Sequence, residues 1–443
     1  MLAACSFTTF CKWGSQVSER HVELLAIGAG PANLALAVAL SESAPSWLIE
    51  SSLIVEQAED VTWQRGMMMP WARSQVSFLK DLVTLRNPTS RYSFLNYLHS
   101  VDRLDDFINT GTFTPHRMEI SAYLRWVAQE VPVPVEFNMK AVGIRPIGAD
   151  SGDVEGWQVT FSDGSVISCR NLVIGGGRDP HVPEAFRSLP AERVIHSTEF
   201  SESISKLDKF GAHRFAVVGA AQSAAEMLWS CYQEFPHAQL TLLMRSIGLV
   251  AYEGSKFTNE LFYPSFVDEF HSSRPEARRQ MLEEMYRTNY GGLAPDLLNS
   301  LYHQMYQDRL TGTERIEMVS MSDVTSARTD GDDIVLTVAD RRSGTSETVR
   351  CDTVLLGTGF VRSMPRHVRD LAASLGLADV EVTRNYRMVV PGRTAAGCYL
   401  QGVNEATHGI ADSLLSVLAS RSGEIAADII QHYENGRAPS HAA

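Results

Sequence analysis

Cysteine is scarce in this chain: six residues in 443, at Cys5, Cys11, Cys169, Cys231, Cys351 and Cys398, with no C-x-x-C pair. That pattern argues against a cysteine zinc site or a paired-thiol redox centre, and it fits a reducing cytoplasm. Positive charge is also short, with 39 Lys and Arg against 52 Asp and Glu and a formal net charge of −13. A broad surface for nucleic acid or anionic membrane is therefore not expected. No long hydrophobic run exists: the longest, Leu24 to Leu40, is broken by Gly28, Gly30, Pro31 and Asn33. No transmembrane helix is predicted. The opening M-L-A-A-C lacks the basic segment and apolar core of a lipoprotein leader, so residues 1–20 read as a loose extension. Low-complexity tracts are missing, and the segment after Glu434 reads as a frayed tail.

What is present suits a large folded protein. A hydrophobic share of 44% supplies a sizeable core, and the length suggests roughly three domains, one of them discontinuous. The apolar run Val22 to Ile27 meets Gly28-Ala29-Gly30-Pro31-Ala32-Asn33 and then a helical pattern, Leu34 to Ser41. A second unit repeats the plan: Phe215 to Val218, then Gly219-Ala220-Ala221-Gln222-Ser223-Ala224, then a helix to about Tyr232. Strand, tight turn and helix in that order predict two nucleotide-binding βαβ units. Between them the strand Asn171 to Ile174 ends in Gly175-Gly176-Gly177, a crossing between domains. Helical periodicity from Arg274 to Tyr306 predicts a small helical subdomain, strands return at Ile334 to Val338 and Thr353 to Leu356, and a last helix spans Asp412 to His432.

Glycine at a βα turn lets a pyrophosphate approach the backbone, while the helix N-terminus offers oriented N–H groups. Gly28 and Gly30 stand in those places, and Asn33 replaces the third glycine. Glu50, ending Trp47-Leu48-Ile49-Glu50, falls about 20 residues after the turn, where such folds place a ribose-binding acid. In the second unit Ala221 and Ala224 replace two glycines, and Arg245 follows the strand Leu240 to Met244. A cation there favours the 2′-phosphate of NADPH over the bare ribose of NADH.

The stretch Gln75-Val76-Ser77-Phe78-Leu79-Lys80-Asp81-Leu82-Val83-Thr84-Leu85-Arg86-Asn87-Pro88-Thr89-Ser90 resembles the signature of the flavin-dependent N-hydroxylating monooxygenases that act on ornithine or lysine. Tyr92 to Leu98, Tyr123 to Trp126, Gly219 to Glu226, Phe257 to Glu260, Thr288 to Tyr290, Gly357 to Phe360 and His408 to Ser416 match in order. The resemblance covers about residues 21 to 432. It implies an α/β fold with two Rossmann-like domains, for FAD and NADPH, and a small helical substrate subdomain. The expected boundaries are 21–188 with 352–433 for FAD, 189–252 with 318–351 for NADPH, and 253–317 for the helical part.

The resemblance also implies the chemistry. NADPH reduces the flavin, O2 adds at its C4a carbon, and the distal oxygen passes to the side-chain amine of the substrate. Lys80 is expected to hold the α-carboxylate, with Asn259 and Asn289 on the same head group and Ser416 near the amine. Gln75, Trp63 and Gln64 are expected at the isoalloxazine, although the family commonly carries histidine where this chain has Gln64. Asp412, Ser413 and Leu415 are expected near the flavin, Gly28, Gly30, Pro31, Asn33 and Glu50 on the rest of FAD, and Gly219, Gln222, Ser223 and Arg245 on NADPH. Asp412 reads equally well as a helix N-cap. No metal is expected. The text around Asn87 and Phe107 to Phe113 looks more like the ornithine branch, with lysine the alternative, and the product would serve siderophore or related peptide synthesis. A homo-oligomer is expected, homotetramers being frequent in the family.

Other classes account for less. An α/β-hydrolase elbow at Ala221 to Ala225 leaves the first glycine turn without a purpose. A disulfide reductase lacks its cysteine pair, a Walker loop at Gly248 and Gly254 has Ser255 in the lysine position, and a non-catalytic scaffold would bind FAD without substrate-stimulated oxygen use. The segment Arg65 to Arg73, with Met67-Met68-Met69, has no assignment beyond apolar packing.

Overall fold

The computed structural model describes residues 19–148, 153–392 and 394–437. Cys5, Cys11 and most of the expected extension lie outside the described residues, as does the end of the expected tail. Glu19 and Arg20, assigned above to the extension, instead begin the first strand, and the last helix continues past Glu434 to Arg437.

The first sheet has seven strands. Glu19–Ile27 lies between Ser52–Val55 and Val166–Ile174, parallel to both. Its residues Leu24, Leu25 and Ala26 are fully buried, as a strand covered on both faces requires. Beyond Val166–Ile174, its first half pairs antiparallel with Gly156–Phe161 and its second half pairs parallel with Gly397–Leu400. Helices Pro31–Ser43 and Leu418–Arg437 pack together against the core. Pro31 opens the first of these at the position where its missing N–H costs nothing.

The second sheet runs Ile316–Val319, Gln239–Leu243, Arg214–Val218, Thr353–Leu356, Val194–His196, all parallel. Thr353–Leu356 therefore belongs here and not to the first domain, correcting the expected boundary at residue 352. Its four residues are all buried, so apolar content alone could not say which sheet would take it. An antiparallel meander, Ser322–Asp330, Asp333–Asp340 and Ser346–Cys351, packs its Ile334, Leu336 and Val338 against this sheet.

The helical region contains Lys256–Glu260, Pro264–Ser272, Pro275–Glu284, Tyr286–Asn289 and Pro295–Thr311. It is shared between the two larger units. Phe262, Val267 and Met285 pack on Ile410, Ala411 and Val417, whereas Leu297 and Leu301 enter the core of the second sheet.

Two local expectations change. Trp47 to Glu50 is not the second strand but part of a five-residue helix, Ser46–Glu50, entered from Pro45; the strand is Ser52–Val55. The last helix starts at Leu418 and not at Asp412, because two 3-10 turns, Ile410–Ser413 and Leu415–Val417, precede it. The unexplained segment after Arg65 also finds its place. Met67, Met69 and Ala72 are buried in the core of the second sheet, so this piece of the first domain is a wedge into its neighbour. Among the described residues no helix is long and apolar enough to cross a membrane.

Candidate active site

The first glycine turn is built for an anionic ligand. Gly28 has φ +93, and a side chain on it would meet the Gly175 carbonyl at 2.9 Å. A side chain on Gly30 would point into open space, with no atom within 4 Å, beside the N-terminus of Pro31–Ser43. That is a cradle a pyrophosphate can fill while accepting from helix N–H groups. The acid beside it is Glu56, following Ser52–Val55: one carboxylate oxygen accepts from Ala29 N at 2.8 Å and the other from Ala58 N at 3.0 Å. Glu50 is exposed on the short helix, and the acid that directly follows the second strand is Glu56, not Glu50 as expected above.

Asn33 does not turn its side chain toward a ligand. It is fully buried, and its Nδ2 donates to the carbonyls of Ile27 (2.9 Å) and Gly28 (2.7 Å). Its Oδ1 accepts from Gln401 Nε2 at 2.8 Å. Gln401 in turn accepts from Arg421 Nε at 3.2 Å, and Arg421 pairs with the Asp412 carboxylate at 3.1 Å. Asp412 closes the chain by accepting from Asn404 N at 2.7 Å. The buried carboxylate thus pins the Asn404 to Ser416 segment, and Asp412 is not the N-cap of the last helix. The ion pair itself is almost completely buried, at 2% and 0% side-chain exposure. Neither charge can find water if the other is removed.

Lys80 and Ser416, 336 residues apart, meet at this segment: Lys80 Nζ donates to Ser416 Oγ at 3.1 Å. Burial lowers the Lys80 ammonium from its ordinary 10.5. The cavity beside them is lined by Pro31, Val76, Phe78, Lys80, Tyr123 and Leu415, which brings the glycine turn, the lysine and the Ser416 loop to one place. Ornithine spans roughly 6 Å from carboxylate to side-chain nitrogen at ordinary bond lengths. Lys80 and Ser416, expected above at the carboxylate and the amine, are instead direct neighbours, closer together than the two ends of an extended ornithine. The side chains of Asn259, exposed, and Asn289, half-buried, make no hydrogen bond among the described residues, so no contact joins them to Lys80. Next to Asn289, the Tyr290 hydroxyl donates to Glu405, which also accepts from Ser413 Oγ at 2.8 Å. Burial and the Glu405 charge push the phenol up to about 12.

Gln75 is exposed, Trp63 donates its backbone N–H to Ser121 Oγ at 3.1 Å, and Gln64 holds a left-handed φ of 52 at the start of the wedge. In the second turn Gly219 has φ +139 and packs against Gly357, and Ala221 is the extended residue preceding Gln222–Glu234. Ser223 is half-buried beside it, and Arg245 is exposed after Gln239–Leu243, with no ion pair among the described residues. Gln222, expected on a phosphate, commits both ends of its amide elsewhere: Nε2 donates to Glu226 at 2.8 Å and Oε1 accepts from Ala294 N at 2.8 Å. The four described cysteines are free and buried, and burial pushes the thiols of Cys351 and Cys398 up to about 12. They are poor nucleophiles at neutral pH.

Glu56, Gln401, Arg421 and Glu405 escaped the sequence reading. Only Glu56 left a signal there, an acid directly after the apolar run Leu53 to Val55. Arg421→Met leaves Asp412 charged and unpaired in the interior, and is expected to lower unfolding free energy by about 3 to 5 kcal/mol in a urea titration. A loss below about 1 kcal/mol would contradict a buried pair on which the loop depends.

Comparison with known proteins identifies the family and the fold. The model of the L-lysine 6-monooxygenase/L-ornithine 5-monooxygenase family matches residues 20–362. An L-ornithine N(5)-monooxygenase of Pseudomonas aeruginosa is 36% identical over 423 residues, covering 94% of this chain and 95% of its own. The solved ornithine hydroxylase from Pseudomonas aeruginosa superposes with a TM-score of 0.87 at 36% identity, over 93% of this chain and 100% of that one. The ornithine N-hydroxylase of Kutzneria sp. 744, solved with reduced FAD, NADP+ and L-ornithine, gives 0.86 at 33% identity, over 93% and 100%. An L-lysine 6-monooxygenase from Pseudomonas syringae gives 0.82 at 30% identity, over 93% and 100%. With two glycine turns, a cavity that runs from Pro31 of the first turn to a half-buried lysine, and a family match over most of its length, this chain belongs to the L-lysine 6-monooxygenase/L-ornithine 5-monooxygenase family.

Proposed function

We propose that this protein hydroxylates the side-chain nitrogen of L-ornithine with O2, using FAD and NADPH, and releases N5-hydroxy-L-ornithine for siderophore or related peptide synthesis. The observation that carries the ornithine reading is full-length similarity, at 36 to 37% identity, to enzymes named for that reaction. The residues fit both cofactors. Gly28, Gly30 and Pro31 present the open turn for the FAD pyrophosphate, and Glu56, beside that turn, is the acid for a ribose hydroxyl in this reading. Trp63, Gln64, Gln75, Ser413 and Leu415 border the isoalloxazine in this reading. Gly219, Ser223 and Arg245 serve NADPH, with Arg245 free to meet a 2′-phosphate. Bound flavin, once reduced, supplies the activated oxygen, and the protein's task is to place the amine and exclude water.

The chain's own groups divide that task. Lys80, oriented by Ser416, is the cation for the α-carboxylate, a charge-assisted contact that distinguishes an amino acid from a simple diamine. Asn259 and Asn289 complete the head-group site from the helical region. The substrate amine, with a pKa of about 10.4 in water, must be neutral to attack, while Lys80 must stay charged to bind. The enzyme is taken to be soluble, cytoplasmic and homo-oligomeric, with a homotetramer the family's frequent form.

Two experiments test the reading. Lys80→Met should reduce kcat/KM for ornithine roughly 30- to 1,000-fold, from about 2 to 4 kcal/mol for a lost buried charge contact, and leave any turnover of putrescine unchanged. Because burial lowers Lys80, the alkaline fall in wild-type kcat/KM should come below 10.5 and vanish in the variant. Hydroxylysine in place of hydroxyornithine by mass, or an equal loss with putrescine, would overturn the assignment. For the cofactor, Glu56→Ala should weaken FAD roughly tenfold or more, from the ~1.5 to 3 kcal/mol of a hydrogen bond to a charged group. Glu50→Ala should leave flavin fluorescence titrations unchanged, and the opposite ranking would restore the original acid.

A further inference from the structure

The two nucleotide units are joined by a polar contact that the active site does not use. Arg117, on the helix Arg117–Glu130 of the first unit, makes a two-pronged pair with Glu226 on the helix Gln222–Glu234 of the second. The distances are 2.8 Å from Nη1 to Oε2 and 2.6 Å from Nη2 to Oε1. The side chains are 5% and 2% exposed. Arg117 Nη1 also donates to the Met67 carbonyl at 3.0 Å, which ties the pair to the methionine wedge. Gln222 extends it in the other direction. Its Nε2 reaches Glu226 and its Oε1 takes the N–H of Ala294, the residue preceding helix Pro295–Thr311. One buried cluster thus holds a helix from each nucleotide unit and the start of the long helix of the third region.

The wedge beside it is equally confined. A side chain on Gly66 would collide with the backbone of Ser197 and Thr198, at the entry to the second unit. Ser201 Oγ donates to the Gly66 carbonyl at 2.9 Å and accepts from Met68 N at 3.0 Å. Apolar contacts such as those of Met67 and Met69 tolerate sliding and repacking. A forked guanidinium–carboxylate pair does not, because both N–H···O bonds need one plane and one angle. A buried pair of this kind is rarely a net source of stability, and its best use is to specify geometry.

We propose that Arg117, Glu226 and Gln222 form an inter-domain clamp that sets the angle between the two nucleotide sites, and that Arg117 and Glu226 are positioning residues for flavin reduction. The consequence for reduction rests on the function proposed above; the clamp does not. In that step a C–H bond of NADPH breaks and its hydride bonds to the flavin, so NADPH becomes NADP+ as FAD takes up the same two electrons. Donor and acceptor sit on different units, and a small rotation separates them.

The test compares holoenzyme with Glu226→Gln, Arg117→Lys and the exchanged pair Arg117→Glu with Glu226→Arg. Calorimetry is expected to resolve one unfolding transition in wild type and two in Glu226→Gln. In anaerobic stopped flow the same variant should be reduced by NADPH at least tenfold more slowly. After chemical reduction it should react with O2 at the wild-type rate. Arg117→Lys, which keeps the charge but loses the fork, should fall between, and the exchanged pair should recover part of the loss. A single transition together with reduction within twofold of wild type, in Glu226→Gln or, if that variant does not fold, in Arg117→Lys, overturns the clamp. Two transitions with unchanged reduction overturn the positioning role. A wild-type protein that NADPH does not reduce contradicts the proposed function, and calorimetry still decides the clamp.

Discussion

The buried chain from Asn33 through Gln401 and Arg421 to Asp412 is the contact on which the site depends. Its first member holds the carbonyls of Ile27 and Gly28, and so the shape of the glycine turn. Its last holds the backbone of Asn404 and, with Arg421, the segment that carries Ser416 to Lys80. Such a network is worth having only when complete, because each unpaired member would carry the full cost of a desolvated polar group. Here each link has a partner on both sides, and every member is buried. The glycine turn and the loop that carries Ser416 are thereby joined through one buried network.

A second constraint acts between units. Flavin chemistry of this kind needs a reductant bound on one domain and an oxygen-transfer site on another, so the domains must be both separate and aligned. The methionine wedge supplies contact area and the Arg117–Glu226 fork supplies direction. The helical region leans on both units, through Met285 and Val267 toward the Ile410 to Val417 segment and through Leu297 and Leu301 toward the second sheet. Its position therefore depends on theirs.

How much of this was legible in the sequence depends on how far apart the partners lie. The two glycine turns are local, strand then turn then helix, and both were readable from a dozen residues each. The acid after the second strand was misplaced because Trp47 to Glu50 and Ser52 to Val55 are adjacent apolar runs of similar length, and a short helix entered from proline looks like a strand by content alone. Thr353–Leu356 was assigned to the wrong sheet since a buried parallel strand carries no mark of its neighbours. Asn33 and Gln222 were read as ligand contacts because the motif positions are local, whereas the partners that occupy them, Gln401 and Ala294, are 368 and 72 residues distant. The Lys80 to Ser416 bond is of the same kind: each residue is marked by its own motif, and only the fold makes them neighbours.

The central claim is that cofactor turn and substrate loop respond as a unit, and amide hydrogen exchange with and without FAD measures it most directly. The account predicts that FAD slows exchange at Ala29 to Asn33 and, to a comparable degree, at Asn404 to Val417, and that Gln401→Leu confines protection to the turn. Protection of the turn alone in the unaltered protein would contradict it.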